Sequence, residues 1–221
     1  MPIIRTLVLR FSNEISASDI PKFRGAVIAS LKEKNILYHN HDENGVVYRY
    51  PRIQYKRINK KAAIVCVKEG VDAIHELFTS GNFTYYIGEK DMEMRIEFLN
   101  TYENDIVFCD TPYYYRIRNW LPFNSANYAK YQGTEGLVEK LQILERVLIG
   151  NILSFLKGVD IHIEEPLELH ITNITNQRPI TYKKVIMMAF DIEFKTNLFL
   201  PQYIGIGKNA SVGCGVLTII K

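Results

Sequence analysis

The chain holds 221 residues, 47% of them hydrophobic and 23% charged, with a formal net charge of +3. That is enough apolar material for one large domain or two small ones, which excludes a disordered chain, and no apolar run approaches the length of a membrane span. Cys66, Cys109 and Cys214 are odd in number and far apart, which excludes a disulfide framework and a zinc knuckle; the opening Met-Pro-Ile-Ile-Arg-Thr lacks a signal-peptide pattern, so a cytoplasmic protein with reduced thiols is expected.

Ile3 to Phe11 is β-prone with partial alternation and predicts a first strand. Ser18 can cap a helix, with Asp19 near its positive end and Pro21 in its first turn. Ile20, Phe23, Val27 and Leu31 follow at helical spacing and carry that helix from Asp19 to Lys34. A polar connection from Tyr38 to Gly45 contains His39, His41 and an Asn-Gly turn signal. Strands are predicted over Tyr48–Ile58 and Ala62–Val67. A short helix on Val71, Ile74 and Phe78 ends near Gly81, and a long strand or bent hairpin covers Phe83–Leu99. The order β-α-β-β-α-β is that of a ferredoxin-like unit, in which two helices cover one face of a four-stranded antiparallel sheet.

The second half opens with β-prone Ile106–Ile117 and a loop. Leu137, Leu141, Leu144, Leu148, Ile152 and Phe155 then lay one apolar stripe along a helix from about Gly136 to Lys157. Ile161–Ile174 and Ile180–Leu200 are strand-like, separated by a Thr-Asn-Gln-Arg-Pro turn cluster, and Val-Leu-Thr-Ile-Ile makes a final strand. The chain therefore reads as α+β: two ferredoxin-like (RRM-like) domains in tandem, residues 1–103 and 104–221. In the second the later helix is replaced by loop, and a glycine-rich loop lies at the C-terminus.

That loop, Tyr203 to Gly215, sets Gly205, Gly207, Gly213 and Gly215 around Lys208, Asn209 and Ser211. Glycines at this density let backbone N–H groups approach a phosphate, while a purely structural glycine hairpin is the alternative. Gly205, Gly207 and Ala210 match a dinucleotide fingerprint on paper, but a strand follows where that fingerprint needs a helix. Charge distribution adds to this. Between Glu43 and Glu69 no acid occurs, while Arg49, Arg52, Lys56, Arg57, Lys60, Lys61 and Lys68 do. A second acid-free window, Thr111–Thr134, holds Arg116, Arg118 and Lys130 among Tyr113, Tyr114, Tyr115, Trp120, Phe123, Tyr128 and Tyr131. Basic groups interleaved with aromatics suit single-stranded or looped RNA; solvated strand faces and core tyrosines account for either window alone equally well.

Taken with two ferredoxin-like halves, the run Gly205-Ile-Gly-Lys-Asn-Ala-Ser-Val-Gly-Cys-Gly215, the run Tyr50-Pro-Arg-Ile-Gln-Tyr-Lys-Arg57 and His39-Asn-His41 give the chain a specific likeness. It resembles the CRISPR-associated endoribonucleases of Cas family six, in the RAMP superfamily, and most of all their compact b-type branch. Cys214 departs from the aromatic or bulky apolar residue common there. The resemblance implies metal-independent cleavage of precursor crRNA within each repeat by the RNA's own 2′-hydroxyl, leaving 2′,3′-cyclic phosphate and 5′-hydroxyl ends. It also implies repeat RNA as the partner, with other Cas proteins and a homodimer compatible with it, and no cofactor or metal.

His41 or His39 is expected as general base, with Tyr48 positioning it or donating to the phosphate. Arg49, Arg52, Lys56, Arg57, Arg116, Arg118, Gly205, Gly207, Lys208, Ser211 and Gly213 are the expected RNA contacts, with Lys56 and Arg57 on opposite sheet faces. A non-catalytic RNA-binding subunit of the same superfamily is the rival reading, and a domain with no nucleic-acid role is the second. The leading reading requires segments near positions 40, 50 and 210 to meet.

Overall fold

Strand β1 (Ile3–Glu14) begins the first of two units, formed by Ile3–Asp105 together with Ser211–Gly213. The structure, a computed structural model, describes residues 2–32, 35–39, 41–42, 45–46, 50–81, 83–87, 89–182 and 184–220, with backbone alone at 39, 41, 42, 45, 46 and 80. A 3-10 turn (Ala17–Asp19) leads into α1 (Ile20–Ser30), followed by α2 (Ile36–His39) and a short ladder of β2 (His41–Asp42) with β3 (Gly45–Val46). Strands β4 (Ile53–Ile58) and β5 (Lys61–Val67), helices α3 (Glu69–Ala73) and α4 (His75–Ser80), the hairpin β6 (Thr84–Ile87) and β7 (Lys90–Glu93), and β8 (Ile96–Asp105) complete it. The main sheet is antiparallel in the order β4-β5-β1-β8, the ferredoxin-like order predicted from the sequence.

The α1 stripe packs as its spacing requires. Phe23 is fully buried and meets Phe11 and Tyr55 edge-on, with centroids at 5.9 and 5.8 Å. Two details differ from expectation. Ser18 does not cap the helix, because it falls inside the 3-10 turn. Asp19 stands at the cap position instead, and the Ser16 hydroxyl (2.6 Å) and Lys22 (3.1 Å) hold its carboxyl below the usual range. The helix also ends at Ser30, where Leu31 turns extended, rather than at Lys34.

The second unit comprises Pro2, Ile106–Ala210 and the chain from Cys214 on. It runs β9 (Phe108–Trp120), α5 (Ser125–Gly133), α6 (Leu137–Gly158), β10 (Leu169–Tyr182), β11 (Val185–Leu198) and β12 (Val216–Ile219). Its antiparallel sheet, β10-β11-β9-β12, repeats the ferredoxin-like order with loop in place of the later helix. Leu144, Leu148, Ile152 and Phe155 of α6 are buried, whereas Leu137 is 84% exposed, so the stripe starts one turn later than predicted. Helix α5 was expected as loop. It is capped by Asn124, whose side chain accepts the Asn127 N–H at 2.8 Å, and it carries Tyr131 onto Phe123 and Phe190.

The Thr-Asn-Gln-Arg-Pro cluster is not a turn. β10 continues through it as an edge strand with register shifts at Ile171/Asn173 and Ile174/Asn176, and an edge strand accommodates Pro179. No helix among the described residues is long and apolar enough to cross a membrane.

The chain that replaces the missing helix is pinned at its start. Phe199 N–H donates to Val107 O at 2.9 Å, and the Tyr115 hydroxyl both accepts the Leu200 N–H (2.7 Å) and donates to Leu200 O (3.2 Å). Tyr115 has no accessible surface, and burial pushes its phenol well up, so it stays a neutral donor and acceptor. Tyr115→Phe strands two buried backbone groups and should cost about 1–3 kcal/mol in urea unfolding. A loss under ~0.5 kcal/mol would show that Leu200 is held by other means.

Candidate functional site

In the second unit the glycine loop folds back along β12 and rests on the end of β9. Tyr203 N–H donates to Leu217 O (2.7 Å), Leu217 N–H to Ile204 O (3.0 Å) and Ile206 N–H to Gly215 O (2.9 Å). The bed beneath is Asn119 to Leu121: Gly215 N–H donates to Asn119 O at 3.0 Å and Lys208 N–H to Leu121 O at 3.3 Å. Gly207, at φ +88, lies over Trp120, whose indole N–H donates to Asn151 of α6 at 2.9 Å; a Cβ there would stand 2.9 Å from the indole. Gly215, at φ +63, has the Ile206 carbonyl where a Cβ would go. These two glycines are needed because backbone and indole approach too closely for any side chain.

The loop's amides, expected to stand bare toward phosphate, divide into two sets. The N–H groups of Ile206, Lys208, Cys214 and Gly215 are taken up within the unit. Those of Gly207 and Ser211 have no acceptor among the described residues. Lys208 is exposed and makes no ion pair among the described residues. Gly205 is buried and bridges Val216, which leaves it a structural place.

Ser211–Gly213 belong to the first unit, where they lie along β4. Ser211 O accepts the Tyr55 N–H at 2.8 Å, Val212 runs parallel to Tyr55, and Gly213 (φ +85) sits above the Ile20 Cδ1 methyl. The segments near positions 50 and 210 thus meet, as the leading reading requires. The cations of β4 are not arrayed as expected, however. Lys56 has no accessible surface, and Arg52, 9% exposed, holds Glu69 with its Nε at 2.8 Å; the fold has enclosed both, so neither presents a charge to an RNA backbone. Arg57 lies on the opposite side of the pleat, exposed, with its Nε donating to Ile15 O at 2.7 Å.

Arg116 and Arg118 share the solvent side of β9, opposite buried Tyr115 and Ile117. Arg116 is tied to Glu193 of β11 at 2.6 Å and keeps that carboxyl below its usual range. Arg118 is exposed, with no ion pair among the described residues. The aromatics of the same window are largely core: Tyr115, Trp120, Phe123 and Tyr131 are buried, while Tyr114 and Tyr128 reach solvent.

His39 stands at the end of α2 and His41 in β2, and the structure describes their backbone alone. Tyr48 and Arg49 lie outside the described residues. Tyr55 and Tyr85 are buried, and burial pushes the Tyr85 phenol up to about 12, so neither titrates near neutral pH. Residues that sequence reasoning missed are Arg178, Asp191 and Asn119. The Asp191 carboxylate accepts the Asn119 N–H at 2.7 Å and pairs with Arg178 at 3.0 Å, and Arg178 also donates to the Asn119 side chain. They are distant along the chain and match no motif.

Comparison with known proteins matches residues 2–105 to the family model of the Cas6b N-terminal domain and residues 107–220 to that of the Cas6b C-terminal domain. A crystal structure of Cas6b superposes with a TM-score of 0.88 at 27% identity, covering 99% of this chain and all of that one. A crystal structure of a CRISPR RNA processing endoribonuclease, Cas6b, does so with a TM-score of 0.75 at 25% identity over 99% of this chain and 100% of the other. A Cas6 product complex, at 11% identity and a TM-score of 0.61 over the full length of both chains, shares the fold. The uncharacterized protein MJ0978 of Methanocaldococcus jannaschii is 34% identical over 99 residues, 45% of this chain and 66% of that protein.

The two close approaches in the loop differ in kind, which sets a graded expectation. Gly215→Ala meets a backbone carbonyl and should cost about 2–4 kcal/mol in urea unfolding, whereas Gly213→Ala meets a flexible methyl and should cost about 1 kcal/mol. Equal losses would contradict the loop geometry.

Proposed function

Because the chain belongs to the Cas6b family across both of its domains, we propose that it is an endoribonuclease that processes CRISPR repeat RNA. The observation that carries this is its likeness over nearly its whole length to a CRISPR RNA processing endoribonuclease at 25% identity. In the proposed reaction the 2′-oxygen of the nucleotide before the cut forms a bond to phosphorus, and the bond from phosphorus to the 5′-oxygen breaks. A base takes the 2′-hydroxyl proton and an acid returns one to the leaving oxygen, so the products carry a 2′,3′-cyclic phosphate and a 5′-hydroxyl. His41, with His39 beside it in sequence, is the proposed base, and Tyr48 orients it or donates to the phosphate.

The charge that builds on phosphorus in such a reaction needs donors fixed in advance. Lys208 suits this role: it is exposed, and its own backbone is pinned to Leu121 O at 3.3 Å, so its Cα has a defined place. The Gly207 and Ser211 amides are open for phosphate, and Arg118 and Arg57 extend the cationic surface within their respective units. No step in this chemistry requires a metal.

The test is incubation of the purified protein with repeat RNA. Products ending in cyclic phosphate, formed equally well in EDTA, are expected. An intact, shifted RNA would indicate a binding subunit instead, and loss of activity in EDTA would overturn the metal-free route. His41→Ala should slow cleavage by about 10²–10⁴-fold while RNA affinity stays within about threefold. If affinity and cleavage fall together, His41 is a contact or a structural residue.

Lys208→Ala should instead weaken binding and lower the salt slope of binding by about 0.7, the share of one single-strand phosphate. An unchanged slope removes Lys208 from the interface.

A further inference from the structure

Strand β9 does not run straight to its end. Phe190 pairs with Trp120 and Ile192 with Ile117, so Arg118 and Asn119 together oppose Asp191 in a β-bulge. Asn119 takes φ +51 there, a left-handed conformation that asparagine tolerates better than most residues. The bulge aims the chain at the glycine loop, and three successive residues then hold that loop: the Asn119 carbonyl on Gly215, the Trp120 indole under Gly207, and the Leu121 carbonyl on Lys208.

The group opposite the bulge is what holds it. Asp191 accepts the Asn119 N–H at 2.7 Å with one oxygen and the Arg178 guanidinium at 3.0 Å with the other, and Arg178 donates in turn to the Asn119 side chain. With both the N–H and the side chain of Asn119 fixed, its peptide cannot rotate to the extended form, and its carbonyl stays on Gly215. The neighbouring pair on the same sheet, Arg116 with Glu193, provides the contrast. It too joins β9 to β11, at 2.6 Å, but it lies outside the bulge and makes no bond to the loop's footholds.

We propose that Asp191 and Arg178 are positioning residues for the glycine loop, acting on bound RNA through Asn119, Gly215 and the loop's Lys208, whose own foothold, Leu121, follows the same bulge. The proposal rests on the reading of that loop as the phosphate clamp. A half-buried ion pair at a sheet surface contributes modestly to stability by itself, so the expected consequence of losing it is local.

Amide hydrogen exchange in the free protein tests the relay without RNA. Asp191→Ala should speed Gly215 exchange on the order of tenfold, while Ile117 in the interior of β9 is unchanged, and Glu193→Ala should leave Gly215 exchange as it was. Asp191→Asn, which keeps an oxygen for the Asn119 N–H, should give an intermediate rate and serves if the alanine variant does not fold. Uniformly faster exchange across the sheet, or an unaltered Gly215, overturns the relay.

RNA binding then tests the positioning. Asp191→Ala should lower the salt slope as Lys208→Ala does, and the double variant should bind no more than about twofold worse than Lys208→Ala alone, since both remove one contact. Additive losses overturn the action through Lys208. If Lys208→Ala leaves the slope untouched while Gly215 exchange still responds to Asp191→Ala, the clamp reading has failed. The RNA role of the relay is then overturned with it, and a loop anchor remains.

Discussion

The hydrogen bond from Gly215 N–H to Asn119 O is where the two ends of the second unit are joined. One partner lies at the outgoing end of its first strand, the other at the entrance to its last. A ferredoxin-like unit normally bridges its third and fourth strands with a helix, which brings its own hydrogen bonds. Here seventeen residues, from Phe199 to Gly215, make that passage as irregular chain, and their backbone groups must find partners elsewhere. They find them on Val107, Tyr115, Asn119, Leu121 and β12. The price of so close a seat is glycine at 207 and 215, where indole and carbonyl leave no room for a Cβ.

Electrostatics on the sheet point the same way. In RRM-like domains the open sheet face is a common RNA platform. On the second unit of this protein two arginines are answered by carboxylates of β11: Arg116 by Glu193, Arg178 by Asp191. In the first unit Lys56 and Arg52 are enclosed. Of the expected RNA contacts among the described residues, the cations that stay exposed are Lys208 and Arg118 in one unit and Arg57 in the other. A loop lysine with a pinned backbone is better placed to meet a phosphate at a fixed point than a paired arginine, which must first give up its carboxylate.

Element order was legible in the sequence because it depends on periodicity and on glycine and proline punctuation, and both ferredoxin-like orders appear in the structure. The exceptions have local causes. Helix α5 is short, and its apolar content, Tyr128 and Tyr131, reads as part of an aromatic window until Phe123 and Phe190 are seen to pack against it. The run from Thr175 to Pro179 has turn composition but lies on an edge strand, where proline removes no ladder bond and bulges absorb the mismatch. At the candidate site, the glycine loop and Lys208 stood out through composition and position. The burial of Lys56 did not, because a basic residue in a strand carries no sign of which side of the pleat is covered. Nor did Asp191, whose importance lies in standing opposite a bulge formed by residues about seventy positions earlier.

The account joins a fixed loop to a reaction in which the RNA supplies its own nucleophile, and that chemistry is its most exposed point. The direct measurement is cleavage of a repeat RNA carrying a single 2′-deoxy nucleotide immediately before the cut, with binding followed on the same molecule. The account predicts affinity within about twofold of the all-ribose RNA and no cleavage at that position. Cleavage of the deoxy substrate at an undiminished rate would mean that water or a side chain attacks phosphorus, and would contradict it.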